Sequence, residues 1–157
     1  MSPSPTATTL TGEGISVDLP PGWEGAIYRR QSEVGEVPNP VVHVATFPLP
    51  ADRGDFGNGA VNLMGFDDVL IVLLEYDAAS AGKALFGRTG IPRRLAGTDF
   101  SPTTLQRLIP GQAGAQRFFT DAGRAFCLYV VVGAYQRAAR LAADAGAVLA
   151  TVRIDPR

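Results

Sequence analysis

The sequence predicts an α+β protein, built on a single mostly antiparallel sheet with helices packed on its faces. The first observation behind this prediction is the segment at residues 14–19, in which every second residue is apolar, as in a half-buried strand. The second is an uninterrupted apolar run at residues 125–132, which is typical of a central strand covered on both faces. The third is a segment beginning at Ala138, whose apolar residues repeat with the period of an α-helix.

Composition and charge restrict the class of protein before any motif is considered. The chain has 157 residues, of which 46% are apolar and 18% charged, as in a folded globule. Its net charge is −1 and its pI is about 5.8, so no overall basic field attracts nucleic acid or an anionic membrane. We therefore expect neither nucleic acid nor a membrane as a partner.

The length of the chain favours one domain, which we expect to span residues 13–157. Residues 1–12 are rich in Pro, Ser and Thr, and we expect them to form a flexible tail. The tail lacks the positive and apolar segments of a secretory signal, and no apolar run is long enough to cross a bilayer. These features favour a cytoplasmic protein.

Strands are predicted along the first half of the chain, separated by Pro and Gly. They cover residues 14–19, 23–30, 41–47 and 69–76. Pro20-Pro21-Gly22 ends the first strand and turns the chain. A loop rich in Glu, Pro and Gly is predicted at residues 31–40.

The most regular pattern lies in the last forty residues, 117–156. Residues 116–120 and 125–132 are predicted to form a hairpin around Gly123, which can take the positive φ that a tight turn needs. A closing strand is predicted at residues 150–154. The helix between them carries an apolar stripe of Ala138, Leu141, Ala142, Ala145, Val148 and Leu149.

Two shorter helices are also predicted. Asp77 is a candidate N-cap for a helix over residues 78–86. Ser101-Pro102 is a helix-start signal for residues 103–108, with Ser at the cap and Pro at the first helical position. Together with the C-terminal helix, these segments are expected to cover the faces of the sheet.

The least regular stretch, residues 51–66, is longer than most loops, and loops of this length are often functional. It contains Phe56, Met64 and Phe66. Apolar residues in an irregular segment either pack back onto the core or form a contact surface. We predict that these three side chains contact a partner.

A local basic patch is the second candidate for partner binding. Arg93 and Arg94 are adjacent, and Arg88 and Arg107 lie nearby in the sequence. Guanidinium groups in such a patch can bind an acidic protein or a phosphate. Solvated arginines that protect a sheet edge would give the same pattern.

Oxygen-rich residues cluster only around the irregular stretch, as Asp52, Asp55, Asn58, Asp67 and Asp68. Hard cations such as calcium prefer oxygen ligands, so a metal site formed by the four aspartates is an alternative. Their spacing does not match a calcium-binding EF-hand loop, and solvated turns use the same residues. We therefore predict no metal and no other cofactor.

Catalytic signatures are missing from the sequence. His43 is the single histidine and lies among valines in a predicted strand, where a histidine that points to one face and forms a hydrogen bond is expected rather than a general base. Cys127, the single cysteine, lies in the predicted central strand and is expected to act as a small apolar residue. No phosphate-binding loop or nucleophile motif occurs. The chain is therefore predicted not to be an enzyme.

The order of elements resembles that of PsbP-like domains. The resemblance covers Gly-Ile-Ser-Val-Asp-Leu-Pro-Pro-Gly-Trp at residues 14–23, and the hairpin, helix and closing strand at residues 118–156. It implies an α/β/α sandwich around an antiparallel sheet. It also implies a binding or assembly role, as in the photosystem accessory subunit and the nuclear transport factor of that superfamily. Function inferred from a shared fold is analogy.

These observations predict a non-catalytic protein-interaction module, an accessory subunit of a larger assembly or of its own homo-oligomer. The alternative is a small-molecule or metal-ion binding domain with its site under residues 51–66. In that alternative, Asp55 and Asp67 would be the polar groups of an otherwise apolar cleft.

Overall fold

The computed structural model describes residues 7–30 and 39–157, which form two antiparallel sheets and one α-helix. The eight strands are β1 (Thr8–Gly12), β2 (Ile15–Leu19), β3 (Glu24–Arg29), β4 (Pro40–Ala45), β5 (Val69–Glu75), β6 (Ala113–Asp121), β7 (Arg124–Val132) and β8 (Arg153–Ile154). A three-stranded sheet has the order β1-β2-β8, and a five-stranded sheet has the order β3-β4-β5-β7-β6. All strand pairs within the two sheets are antiparallel.

The predicted α+β class, with a single mostly antiparallel sheet and helices on its faces, is wrong. The described residues are mainly β-structure, so the PsbP-like α/β/α sandwich is wrong as well. One reason is that β2 does not join the strand that follows it in the chain. It pairs with β8 instead, where Ile15 lies opposite Ile154, and this pairing creates the second sheet.

The strand predictions are largely confirmed. In β2, Ile15, Val17 and Leu19 are buried and the two residues between them are only partly buried, as the alternation predicts. The hairpin between β6 and β7 turns at Ala122 and Gly123, with φ values of 52° and 76°. Positive φ at both central residues is the geometry of a two-residue turn that matches strand twist.

Strand β1 was not predicted and lies inside the segment that was expected to be a flexible tail. Its five residues pair with β2 from Thr8 opposite Leu19 to Gly12 opposite Ile15. Residues 1–6 of that tail lie outside the described residues, as do residues 31–38 of the predicted loop at 31–40. Pro40, the last residue of that loop, begins β4.

The two short helix predictions are wrong. Residues 78–86 form two separate 3₁₀ turns, Ala78–Gly82 and Ala84–Phe86, and Asp77 accepts a hydrogen bond from Asn39 Nδ2 (2.8 Å) instead of capping them. Residues 103–108 form no helix, because the backbone of Ser101 pairs with Gly114 in both directions. Helices this short are marginal without tertiary support, so the pairing with β6 prevails.

The C-terminal helix α1 (Ala138–Leu149) is confirmed, and a 3₁₀ turn at Tyr135–Arg137 leads into it. Its buried residues are those of the predicted stripe: Ala138, Leu141, Ala142, Ala145, Val148 and Leu149. Within residues 7–30 and 39–157, no helix is long and apolar enough to cross a membrane.

Two apolar clusters lie on opposite faces of the five-stranded sheet. Successive residues of β5 alternate between them: Ile71 belongs to the first cluster, and Leu70 and Val72 to the second. The first cluster is closed by α1 and by β2 of the three-stranded sheet. The second is covered by loop chain that includes Ala60 and the short 3₁₀ turn Val61–Leu63, and not by an α-helix. Both faces are therefore buried, as the unbroken apolar runs of β5 and β7 indicate.

A buried ion network lies at one end of the first cluster. Arg124 and Glu75 are 4% and 3% exposed, and the Arg124 Nη2 to Glu75 Oε1 distance is 2.6 Å. Arg157 also donates to Glu75, and Arg124 donates to the backbone oxygens of Glu13 and Asp155. Burial alone would raise the pKa of Glu75, but the two guanidinium groups outweigh it and lower that pKa. The network joins β5 and β7 to segments that flank β2 and β8.

Candidate functional site

The irregular segment at residues 51–66 folds back onto the second cluster for most of its length. Phe56 packs edge-on against Tyr129 with ring centroids 5.8 Å apart, and Met64 is partly buried in the same cluster. Gly57 has a φ of 77°, and a Cβ there would lie 2.5 Å from Leu70 Cδ2. Phe56 and Met64, two of the three apolar residues predicted to contact a partner, therefore pack onto the second cluster.

The side chain of His43 holds residues 51–66 in place through hydrogen bonds of its two ring nitrogens. The imidazole is completely buried, and Arg53 Nε donates to its Nδ1 (2.7 Å). Because arginine can only donate, the proton of the neutral ring sits on Nε2, which donates to the backbone oxygen of Asp55 (2.6 Å). Burial, together with a smaller effect of the positive charge on Arg53, lowers the pKa of His43 to about 4 against the opposing effect of Asp55. His43 is therefore a neutral structural group at pH 7.

Tyr28 adds a second attachment. Its hydroxyl donates to Asp55 Oδ1 (2.9 Å), and the guanidinium of Arg53 lies 5.7 Å from the centre of its ring. Burial raises the pKa of Tyr28, and the neighbouring carboxylate raises it further. Asp55 was predicted to be a polar group of a ligand cleft. Its carboxylate and its backbone oxygen instead attach residues 51–66 to Tyr28 and His43.

The remaining acidic residues do not converge. Asp68 accepts hydrogen bonds from Thr46 Oγ1 (2.9 Å) and from the backbone nitrogen of Gly65 (2.7 Å), while Asp52 is exposed. Within residues 7–30 and 39–157, no group of three or more His, Cys, Asp or Glu side chains could hold a metal ion. The alternative metal site of Asp52, Asp55, Asp67 and Asp68 therefore has no support in this geometry.

Asp67 instead organises two arginines at the start of α1. It forms ion pairs with Arg137 and Arg140, and these hydrogen bonds lower its pKa. The guanidinium of Arg137 also lies 5.9 Å from the ring centre of Phe66. This contact fixes a positive group beside an exposed aromatic ring.

Phe66 belongs to a group of exposed apolar side chains that we call the Phe66 patch. Its members and their exposed fractions are Phe66 (69%), Leu108 (69%) and Tyr135 (47%), and Phe66 lines a cleft with each of the other two. The described residues contain two other large apolar side chains of comparable exposure, Leu63 and Leu85. Single exposed apolar residues are ordinary, but several together mark an interaction surface.

Two adjoining clefts run between the members of the Phe66 patch. The first encloses about 430 Å³, with Phe66, Tyr135 and Arg137 among its lining residues. The second encloses about 370 Å³ and is lined by Phe66, Arg107 and Leu108, among others. Both volumes lie within the usual range of small-molecule sites, about 300–1,000 Å³.

Gln112 lines both clefts and is 4% exposed. Its Nε2 donates to the backbone oxygen of Val61 (2.8 Å). Its carbonyl oxygen, Oε1, is buried and has no hydrogen-bond partner among the described residues. A buried acceptor without a partner costs about 1–3 kcal/mol, so such groups call for a specific explanation.

The walls of the clefts are fixed by close backbone contacts. A Cβ on Gly133 would lie 1.8 Å from the backbone oxygen of Gly65, so only glycine fits there. Gly133 N donates to Asp68 O (2.9 Å), and Tyr135 N donates to Gly111 O (2.7 Å). The clefts are therefore formed before any ligand or partner binds.

Arg93 and Arg94, the other predicted partner-binding residues, lie elsewhere. Arg93 Nη1 donates to the backbone oxygens of Leu149 and Ala150 at the end of α1 (3.1 and 2.9 Å). Arg93 and Arg94 line a separate cleft together with Arg88 and Arg117. The structure thus separates Arg88, Arg93 and Arg94 from Phe66, whereas Arg107 lines the second cleft beside Phe66.

Sequence reasoning missed three residues of the site: Leu108, Gln112 and Tyr135. Leu108 was assigned to a short predicted helix, where an apolar side chain would be expected to face the core. Pro110-Gly111, just beyond it, was a signal that the segment is a turn and not a regular element. No local pattern marks the unpaired carbonyl oxygen of the Gln112 side chain.

Comparison of the chain with protein-family models, curated proteins and solved structures finds no match. The geometry of the site is therefore the basis for a proposal about function.

Proposed function

We propose that the chain is a non-catalytic interaction module that binds another protein through the Phe66 patch and its two clefts. The partner would insert an apolar side chain between Phe66, Leu108 and Tyr135. A hydrogen-bond donor of the partner would reach Gln112 Oε1 from the clefts. In this proposal, the module is an accessory subunit of a larger assembly.

The clustering of exposed apolar side chains carries the proposal. Of the five large apolar side chains that are exposed in the described residues, three line two adjoining clefts: Phe66, Leu108 and Tyr135. Interface cores are enriched in aromatic residues and arginine, and the patch has two aromatic rings with Arg107 and Arg137 beside them. An anchor that fills a preformed cleft is the usual centre of binding energy in an interface.

The environments of His43 and Cys127 support a role without catalysis. Both ring nitrogens of His43 are engaged in hydrogen bonds beneath residues 51–66. Cys127 is completely buried, and burial raises the pKa of its thiol. Neither side chain can act on a substrate without a rearrangement of the fold. A cytoplasmic location also belongs to this proposal, and fractionation of native cells tests it.

The test compares matched alanine variants in affinity purification from native cells. Phe66→Ala and Leu108→Ala remove two exposed anchors, and Leu85→Ala is the control because Leu85 is comparably exposed outside the patch. A partner recovered by the wild type and by Leu85→Ala should be lost from the Phe66→Ala/Leu108→Ala double variant. Direct titration should show at least tenfold weaker binding, the loss expected for an interface anchor. Equal recovery by all variants would contradict the proposal.

A homo-oligomer is the other form that such an interaction can take. Sedimentation of the wild type and the double variant distinguishes the two forms. A concentration-dependent dimer that the double variant no longer forms would assign the patch to contact between copies of the chain. If the wild type and the double variant are both monomeric, the Phe66 patch would bind a different protein.

Small-molecule binding in the two clefts is the second candidate function, and the unpaired Oε1 of Gln112 favours it. The ligand would be mostly apolar and would carry one hydrogen-bond donor, since the lining offers an acceptor. A thermal-shift screen of metabolites tests it, because a ligand at 100 times its Kd stabilises the fold by about 2.7 kcal/mol. A hit should lose affinity when Gln112 is replaced by Leu. A screen without hits would count against this function and leave the protein-binding proposal unaffected.

A further inference from the structure

A third cleft, distinct from the two beside the Phe66 patch, has four arginines in its lining. It encloses about 500 Å³ between residues 88–95 and β6, and Arg88, Arg93, Arg94 and Arg117 all line it. We call it the arginine cleft. The whole chain has 14 basic and 15 acidic residues, so this concentration of positive charge is local. Asp99 is the one acidic residue in the lining.

One wall of the arginine cleft is fixed to the end of β6. The backbone nitrogen of Thr120 donates to the backbone oxygen of Arg88 (2.8 Å), and the nitrogen of Gly90 donates back to Thr120 (2.7 Å). Gly90 has a φ of 88°, which lets the chain turn sharply there. The backbone nitrogen of Ile91 donates to Asp121 Oδ2 (2.9 Å), so the Asp121 carboxylate also attaches this wall to β6.

The other wall is anchored in the first apolar cluster. Ile91 and Leu95 are buried there and hold the arginines between them at the surface. Arg93 is attached to the end of α1 through two backbone oxygens. Arg117 Nη2 pairs with Asp99 Oδ1 (2.8 Å), so this guanidinium also has a fixed position.

Arg88 and Arg94 differ from these two arginines. Both are exposed, and neither side chain forms a hydrogen bond or ion pair with the described residues. Their guanidinium groups retain all their donors for a ligand. The arginine cleft thus combines two arginines held in place with two that are free, on a backbone that is already ordered.

We propose that the arginine cleft binds the phosphate group of a small phosphorylated compound. Guanidinium groups match the oxygens of a phosphate in pairs and form short charge-assisted hydrogen bonds with it. A cleft of this volume accommodates the phosphate together with a small organic part. The site is independent of the Phe66 patch, so its test bears on this inference alone.

The competing explanation is that the arginines protect the sheet edge. Strand β6 is the outer strand of the five-stranded sheet, and positive charge at such an edge discourages pairing with other chains. Edge protection requires no saturable ligand and no particular arginine. Binding experiments therefore separate the two explanations.

The experiment is isothermal titration of the full chain with inorganic pyrophosphate, orthophosphate and glycerol phosphate at a fixed ionic strength of about 0.15 M. We expect saturable binding of at least one probe at one site per chain. Tighter binding of glycerol phosphate than of the two inorganic probes would assign the site to phosphorylated compounds. Tighter binding of orthophosphate or pyrophosphate would assign it to the free anion. Absence of saturable binding for all three probes would overturn the proposal.

Matched variants locate the binding. Arg88→Gln and Arg94→Gln should each weaken binding about tenfold, the loss of one charge-assisted hydrogen bond at a partly exposed site. Arg153→Gln is the control, since that side chain is 66% exposed and does not line the arginine cleft. All three variants should melt at the temperature of the wild type. Equal weakening by Arg153→Gln would indicate a non-specific response to net charge and would refute the site.

Discussion

Acid is expected to destabilise the folded chain through His43, which is completely buried beneath residues 51–66. Its Nδ1 accepts a hydrogen bond from Arg53, and its Nε2 donates to the backbone of Asp55. Protonation would place a hydrogen on Nδ1, the second N–H of the ring, directly opposite the N–H of a guanidinium that is itself charged. The hydrogen bond would be lost and a charge would be buried beside a like charge.

The size of the effect follows from the two pKa values of His43. Its pKa is about 4 in the folded chain, against 6.5 for an unperturbed histidine. Because the unfolded chain binds the proton more tightly, the stabilisation from neutral His43 is complete above pH 6.5 and falls as the pH drops towards 4. The free energy of unfolding should decrease by about 2 kcal/mol at pH 5 and by about 3 kcal/mol at pH 4 from this group alone.

Urea unfolding of the wild type and of His43→Gln between pH 7.5 and pH 4 measures the effect. Glutamine keeps one donor and one acceptor but does not titrate. The variant should be less stable at pH 7, by about 1–2 kcal/mol, because its hydrogen bonds are imperfect. Carboxylates contribute to the acid response of both proteins and cancel in the difference. The wild type should therefore lose its advantage between pH 6.5 and pH 4.

A constant difference between the two proteins over this range would refute the reasoning, because it would mean that His43 does not resist protonation in the folded state. Titration of the imidazole by NMR provides an independent measurement of its pKa. A folded-state pKa near 6.5 would refute the reasoning as well. Arg53→Gln should raise the pKa of His43, since it removes a positive charge and a donor from Nδ1.

Three further predictions concern stability. Glu75→Gln should lower the free energy of unfolding by about 3–5 kcal/mol, because it leaves Arg124 buried without its counter-charge; a loss below about 1 kcal/mol in urea would contradict this. Gly133→Ala should destabilise the fold by more than about 2 kcal/mol, since its Cβ would overlap the backbone of residue 65, whereas Gly82→Ala, with open space around it, should be tolerated. Phe56→Ala should cost about 2–3 kcal/mol and Phe66→Ala less than about 0.5 kcal/mol, as measured by thermal melting; the reverse order would show that their roles are exchanged.

Periodic segments of the chain were predictable because their pattern is local. The stripe of α1, from Ala138 to Leu149, and the alternation of β2 were both predicted correctly from the sequence. The unbroken apolar run of β7 also indicated burial on both faces. In each case the side chains repeat with the period of the element that they form, so a short window carries the signal.

Short segments were not predictable in the same way. Residues 78–86 and 103–108 carry helix-start signals, but their backbone groups find partners in distant parts of the chain. Ser101 pairs with Gly114, and Asp77 accepts from Asn39. A helix of one or two turns gains too little from its own hydrogen bonds to compete with such pairing.

The candidate sites show the same limit. Phe66 is exposed, as a residue that contacts a partner must be, whereas Phe56, ten residues earlier, packs against Tyr129. The two residues are chemically identical, and only the path of the chain decides which ring faces the core. Arg94 was predicted to bind a partner, but its convergence with Arg117 in one cleft required the pairing of segments far apart in the sequence.

The amino-acid sequence by itself determined most of the strands, the C-terminal α-helix and the burial of Cys127, because these follow from periodicity and from neighbours in the chain. Tertiary structure decided that β2 leaves the main sheet to pair with β1 and β8, and that irregular chain covers the second face. It also assembled the Phe66 patch and the arginine cleft, each from separate segments. The physical reason is that sheet pairing and surface convergence depend on contacts between residues distant in sequence, whose free energy no local pattern records.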